Sequence, residues 1–352
     1  MKVAVINDTH RGIRKSSDIF MDNSREFFQK VFFPYCEKYG ITRILHLGDY
    51  FDDQKSVNIK ALDRDREDFL NELESRDMHM DLILGNHDIY FVNTTRVNSP
   101  ELILHSPNIT IHTEPTILEY DGFRVGVVPW ITTENYEKSM DFMNGCTAPW
   151  LAGHFAFEGF TMLPGVVSKK GMSPSVVKRF DKVLSGHFHT KSAQGNIEYL
   201  GSQLEFTWAD AHDPKYFHVI DTEQETLEAI RNPFPVFRKI MYNDEKTDYS
   251  DFDYSPYENK YVQIVVINKT NQAMFESFVD SLEDANTHRL TIYEDYSGFA
   301  QEDMADSDLS VADTKNIIQD YVESVQTDLD KSVLSDRMIH IYHEAQVAEV
   351  ET

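Results

Sequence analysis

Cysteine is nearly absent from this sequence of 352 residues: Cys36 and Cys146 stand far apart, with no Cys-x-x-Cys spacing. That excludes a disulfide framework and a thiolate zinc site, and the simpler compartment is a reducing cytoplasm. Long apolar runs are missing too, since no stretch approaches the about 18 residues of a membrane-spanning helix. The opening MKVAVIND lacks the basic segment of a secretory leader. The expectation is a soluble, unsecreted protein with no membrane partner. Positive charge is also short, with 33 Lys and Arg against 59 Asp and Glu, a formal net charge of -26. Phosphate contacts normally come from clustered Lys and Arg, so the deficit weighs against a nucleic-acid partner. The deficit is uneven, however: residues 1–240 carry net -8 and residues 241–352 net -18. Some N-terminal carboxylates are also candidate metal ligands, and bound divalent cations would make that surface less negative.

With 41% hydrophobic and 12% aromatic residues, the chain can bury a full core and a second small one. Its first two hundred residues alternate short β-branched runs with amphipathic stretches, the pattern of a layered α/β domain. Strands are predicted at 3–6, 44–47 and 82–84, and two more end just before Gly153 and Gly186. Phe27, Phe28, Val31, Phe32 and Tyr35 form the apolar face of a helix entered near Asn23 or Ser24, kinked at Pro34 and stopped at Gly40. Residues 59–73 read as a charged surface helix. Asp121-Gly122 between 117–120 and 124–128 is the strongest hairpin signal. The organisation is predicted to change after about Pro214, where 261–267, 271–284 and 289–294 read as strand, helix and strand, a small βαβ-like cap. An acidic linker at 301–308 then precedes two amphipathic helices. The first opens on a capping box at Ser310 and Asp313 and carries Ile317, Ile318, Tyr321, Val322, Val325 and Leu329; the second carries Val333, Leu334, Met338, Ile339 and Tyr342. The predicted domains are therefore 1–213, 214–300 and 301–352.

Five polar signatures follow five of these strands: Asp8-Thr9-His10, Gly48-Asp49, Gly85-Asn86-His87-Asp88, Gly153-His154 and Gly186-His187-Phe188-His189. Loops at strand C-termini are where an α/β fold brings distant residues together. Taken singly the signatures say little. A lone Asp-x-His is ordinarily a loop with a solvated carboxylate and a surface imidazole, and Asn-His after a buried strand can be an Asn-rich turn. The ordered set of five is what points to chemistry. Two divalent cations about 3.5–4 Å apart can clamp a phosphoryl displacement but repel each other, and a shared carboxylate offsets that repulsion. Asp49, alone after its strand, is the candidate bridge. Oxygen and nitrogen donors without thiolates suit Mn, Fe or Zn better than Ca.

In this order the signatures resemble the calcineurin-like metallophosphoesterases over about 1–205. Within that superfamily the chain is similar to the SbcD-type double-strand-break repair nucleases, including bacteriophage recombination nucleases. The features in favour are Gly-Asn-His-Asp at 85–88, Tyr199-Leu200-Gly201-Ser202 soon after the last signature, and a cap followed by C-terminal helices. The resemblance implies a four-layer α/β/β/α sandwich with a small α+β capping, DNA-binding domain. It implies one metal on Asp8, His10, Asp49 and His189 and a second on Asp49, Asn86, His154 and His187. Mn2+ is the first choice, with Mg2+, Fe or Zn as alternatives. It also implies exonucleolytic and endonucleolytic cleavage of DNA in a recombination and repair complex, with His87 protonating or stabilising the leaving 3′ oxygen. Asp88 is expected to orient that imidazole. The partners implied are an SMC-like coiled-coil ABC ATPase on the C-terminal helices and a second copy through 58–75 and 90–105. For the latter, Ile89, Tyr90, Phe91 and Val92 fit a dimer contact or simple core packing. The compartment implied is the cytoplasm, that of a bacterial host if the protein is phage-encoded.

One position departs from the pattern. Cellular relatives place a substrate-contacting histidine three residues after the bridging Asp, where this chain has Asp52. The segment Gly48-Asp49-Tyr50-Phe51-Asp52 also resembles that of protein phosphatases, but Asp53-Gln54 stands where their Arg-Gly would be. That argues against a phosphomonoesterase, the first competing reading; the second is a catalytically weak scaffold for the ATPase.

Overall fold

A computed structural model of the chain describes residues 1–163 and 166–294 and, beyond them, only Val322, Lys331, Leu334, Ser335 and Met338, each in helical conformation. The expected acidic linker and most of both C-terminal helices lie outside the described residues. The chain divides into two compact units, Met1–Asp303 and Met304–Thr352.

Two six-stranded sheets form the centre of the first unit. In the N-terminal sheet, Lys2–Ile6, Arg43–His46, His79–Ile83 and Ile109–His112 run parallel in that order. In the second, Phe123–Val128, Trp150–Gly153, Lys182–Ser185 and Ile197–Tyr199 do the same. Strands that are apolar on both faces have to be covered on both. Val3 and Val5 point toward the second sheet, packing in one core with Leu45, Ile83, Val125, Val127, Ala152 and Leu184. Their neighbours Ala4 and Ile6 point the opposite way, into a core with Phe27, Phe28, Phe32, Phe33 and Phe69 of the helical layer. The outer face of the second sheet is closed by Met143, Phe155, Phe157, Val177 and Phe180. The result is helix, sheet, sheet, helix: a four-layer α/β/β/α sandwich.

The first long helix starts earlier than its capping residues suggest, running Asp18–Phe27, then a π-helical turn Phe28–Phe32, then Phe33–Tyr39. Asn23 and Ser24 lie inside it because tertiary partners engage their side chains: Asn23 Nδ2 donates to the Phe234 carbonyl, and Ser24 Oγ accepts from Arg11 Nη1. The irregularity expected at Pro34 takes the form of the π turn just before it, which accommodates a residue with no N–H. The charged helix likewise has a π turn, Arg66–Leu70, and Phe28 and Phe69 meet across the two at 4.7 Å between ring centroids.

Asp121 and Gly122 both adopt positive φ, as a two-residue hairpin turn of the type that matches strand twist demands. Tyr216–Asp221 and Thr226–Arg231 escaped the sequence reading. They extend the N-terminal sheet, the former antiparallel to Lys2–Ile6, so that sheet continues past position 213 to Arg231. Beyond it, Phe237–Asn243, Tyr261–Asn268 and Arg289–Tyr293 make a small all-parallel sheet, crossed by the helix Gln272–Asp284. Ile240, Tyr242, Val262, Ile264, Phe275, Phe278 and Leu282 give it a core of its own. Among the described residues no helix is long and apolar enough to cross a membrane.

Candidate metal centre

The five polar signatures leave the C-terminal ends of five parallel strands, three from the N-terminal sheet and two from the second. Because the sheets stack face to face, those loops meet at one edge of the sandwich. The turns are tight enough to require particular residues. Asp8, His10, Asp49 and His187 all take positive φ, a conformation that costs a non-glycine residue of order 1 kcal/mol or more and that clusters at functional sites. A Cβ on Gly85 would sit 2.1 Å from Asp49 Oδ1, so only glycine lets the third strand's loop pass the second.

Three overlapping groups of donors result: Asp8, His10 and His189; Asp49, His154 and His187; and His10, Asp49 and His87. In each, one atom per residue lies within 4.8 Å of the others. Asp49 belongs to two of them. Its Oδ1 accepts the His87 N–H at 2.8 Å, while Oδ2 lies 3.2 Å from His154 Nε2 and 3.9 Å from His10 Nε2. Asn86 joins through Oδ1, 3.0 Å from His154 Nε2. The structure thus brings all seven expected ligands together. It also puts the His87 ring beside His10, 4.8 Å between centroids, close enough to be weighed as a ligand as well as a proton donor.

This donor set fits divalent cations on its own hydrogen bonding. His154 Nδ1–H donates to the Leu47 carbonyl at 2.7 Å, so a neutral ring turns a bare Nε2 lone pair toward Asp49 Oδ2 and Asn86 Oδ1, acceptor against acceptors. His10 Nε2 and His189 Nε2 face each other at 3.2 Å, which needs a proton or an ion on one of the two nitrogens. The His154 contact with the Asp49 carboxylate needs a positive charge. In the metal-free chain protons supply it. Burial alone would lower the pKa of His10, but Asp52, Asp49 and Asp8 raise it to about 10. Against the same burial, Asp49, Asp8 and the Leu47 carbonyl raise His154 to about 9. Burial and the neighbouring His154 charge push His187 down to about 3; burial and His10 hold His189 well below its usual range. Burial favours the neutral form of Asp49, but the imidazoles prevail and keep its pKa well below the usual carboxylate value.

Asp88 has partners other than the expected one. It is fully buried, and its carboxylate accepts the main-chain N–H groups of Asp49, Tyr50, Phe51 and Gly85. His87 Nδ1–H donates instead to the Asp52 carbonyl at 2.5 Å. Asp88 therefore holds the Asp49 loop against the Gly85 loop and does not orient the His87 ring. Burial, then the Asp49 charge, pushes its own pKa up to about 7.

Sequence reading missed the residues that brace the centre. Asn7 Nδ2 donates to Asp8 Oδ2 at 2.5 Å and to the Gly201 carbonyl, while Gln203 Nε2 donates to the Asp8 carbonyl. His46 Nδ1 accepts the Gly48 N–H, so Nε2–H donates to Thr9 Oγ1, which donates to the Tyr50 carbonyl. The buried Lys215 ammonium spans the His189 carbonyl, Asp210 and Asp213. A polar residue inside or beside an apolar strand was the available signal for Asn7 and His46; for Lys215 there was none.

A fold of this kind, with these five signatures at one edge, defines a class, and the family comparison agrees: residues 1–191 match the calcineurin-like phosphoesterase family, to which the chain belongs and whose members work with divalent metals. Along nearly its whole length the chain is also similar to exonuclease subunit 1 of Enterobacteria phage T4, at 29% identity over 350 residues, covering 98% of this chain and 99% of that protein. Among solved structures it is similar to an archaeal phosphodiesterase (12% identity, 66% of this chain and all of that one, TM-score 0.33). Another is a cold-active protein-tyrosine phosphatase of a psychrophilic Shewanella (9% identity, 65% and 80%, TM-score 0.28).

Proposed function

We propose that the chain is a metal-dependent DNA nuclease, a phosphodiesterase that cleaves exonucleolytically and endonucleolytically as one subunit of a recombination and double-strand-break repair complex. The observation that carries this reading is the convergence of Asp8, His10, Asp49, Asn86, His154, His187 and His189 from five strand ends onto one cluster, buried on the Asp8, His10, Asp49 and His154 side and half-buried at Asn86, His187 and His189. Whole-length similarity to a phage exonuclease subunit supports nuclease over other phosphoesterase activities. Two divalent ions, Mn2+ first among them, would be held by Asp8, His10, Asp49 and His189 and by Asp49, Asn86, His154 and His187. Bound there, they would supply a nucleophile at neutral pH and offset charge on the phosphoryl oxygens. The chain's own residues do the rest. Asp49 Oδ2 lies between the two sets of donors and serves both. His87, with Nδ1–H committed to the Asp52 carbonyl, presents Nε2 to the substrate; entering the reaction as the imidazolium, it gives its Nε2 proton to the leaving 3′ oxygen and is left as the neutral Nδ1–H tautomer. Asp88 keeps the two loops in register.

Residues 1–231 act in this reading as the nuclease domain, since the strands at 216–231 belong to its sheet and not to the cap as expected, 237–294 as the DNA-binding cap, and 301–352 as the docking segment for an SMC-like coiled-coil ATPase. A homodimer forms through the nuclease domain; Tyr90, Phe91 and Val92 are 45%, 48% and 83% exposed and available for it, whereas Ile89 is buried. The working compartment is the cytoplasm of a bacterial host. The test is cleavage of a labelled linear duplex with Mn2+ or EDTA, comparing the unsubstituted chain with His87→Ala, with and without the ATPase. Mn2+-dependent products that His87→Ala loses while keeping two ions support the assignment. No cleavage, together with turnover of chromogenic monoesters in preference to diesters, would replace it with a phosphomonoesterase.

A further inference from the structure

We infer that the Asp52 carboxylate is a positioning group for the metal centre, fixing the aim of His10 from the side of the ring opposite the metal donors; the inference rests on the metal-binding reading above. His10 is 1% exposed, and its Nε2 faces the cluster, 3.9 Å from Asp8 Oδ1 and 3.9 Å from Asp49 Oδ2. If Nε2 is the ligand atom, the ring proton has to sit on Nδ1. A buried N–H without an acceptor carries the full desolvation cost of that group. Asp52 Oδ1 lies 3.3 Å from Nδ1 as a charge contact, and both atoms are buried with no hydrogen-bond partner elsewhere, so each has only the other to turn to. A carboxylate behind a ligating imidazole locks tautomer and orientation and makes the ring a stronger donor to the ion.

The same geometry separates this role from a general structural one. The main chain around Asp52 is held without its side chain: Asp52 N–H donates to the Arg11 carbonyl, and the N–H groups of residues 49–51 donate to Asp88. His87 leans on the Asp52 carbonyl, which any residue at this position supplies. Truncating the side chain therefore disturbs His10 alone, and so one metal of the two.

The experiment is Mn2+ titration of the metal-free full chain, by calorimetry and electron paramagnetic resonance, for the unsubstituted protein, Asp52→Ala and Asp52→Asn. Asp52→Ala is expected to weaken one site by about 10–100-fold and leave the other in place. Asp52→Asn, which keeps an acceptor, is expected to fall between. The loss should vanish in a His189→Ala background, where that site is already broken, and persist in His187→Ala. Unchanged affinities in Asp52→Ala overturn the inference, as does an equal weakening of both sites with altered near-ultraviolet circular dichroism, which marks a structural role. Fewer than two ions on the unsubstituted chain would fail the metal reading first and the inference with it.

Discussion

Two parallel-sheet regions in this molecule end very differently. At the edge of the sandwich, strand ends run into buried carboxylates and imidazoles held at positive φ, with acceptors facing acceptors. At the edge of the small sheet, Asp244 follows the first strand and accepts from Thr270 and Asn271, while Lys269 pairs with Glu294, all at the surface. Both regions obey the same rule, that parallel strands carry their loops to one end. The difference lies in what those loops bury. At the small sheet's edge, Asp244 with Thr270 and Asn271, and Lys269 with Glu294, satisfy one another in water's reach. Those at the sandwich edge are removed from water with too few donors among themselves, so that added protons or bound cations must supply the missing positive charge.

That contrast can be broken from either side. The largest effect is expected from Asp49→Asn, which keeps an acceptor for the His87 N–H but deletes the charge shared between the two donor sets. Activity should fall by roughly 10²–10³-fold or more, and metal analysis should find fewer than two ions. An active, fully loaded variant would show that Asp49 is not the bridge. Phe278→Ala, in the core of the small sheet, should lower stability by about 3–5 kcal/mol in denaturant unfolding, with both ions still bound at low temperature. Loss of the ions would mean that the two regions do not hold their structure independently.

A smaller, graded effect is expected from pH. His10 and His154 have folded pKa values raised to about 10 and about 9 in the metal-free chain. A raised folded pKa contributes stability that is fully present below the unfolded value of about 6.5 and is lost as pH rises through the folded one. Ions compete with these same protons. Between pH 6.5 and 9 the metal-free melting temperature should therefore fall while the rise produced by saturating Mn2+ grows; a metal-induced rise independent of pH would remove His10 and His154 from the ligand set. The smallest effect is predicted for Asp244→Ala at the other edge, which should leave Mn2+ affinity unchanged in the same titration.

The site was more legible in the sequence than much of the scaffold around it. Short glycine-linked polar motifs after apolar strands are local, and local order along the chain survives folding, so Asp8, His10, Asp49, Asn86, His154, His187 and His189 were visible as a set. The strands at 216–231 were not, because their place beside Lys2–Ile6 depends on a pairing across two hundred residues. The early start of the helix at Asp18 was hidden for a related reason: Asn23 and Ser24 look like caps until Phe234 and Arg11 are seen to hold them.

By itself, then, the sequence determined the alternation of elements, the order of the five signatures and the chemical type of their donors, since each depends on neighbours a few residues apart. Only the tertiary structure decided which donors face which: that Asp88 serves four main-chain amides while Asp52 reaches both His10 and His87, and that His154 spends Nδ1 on Leu47 and keeps Nε2 for the centre. Hydrogen bonds between loops are settled by ångström-scale distances that spacing along the chain does not encode.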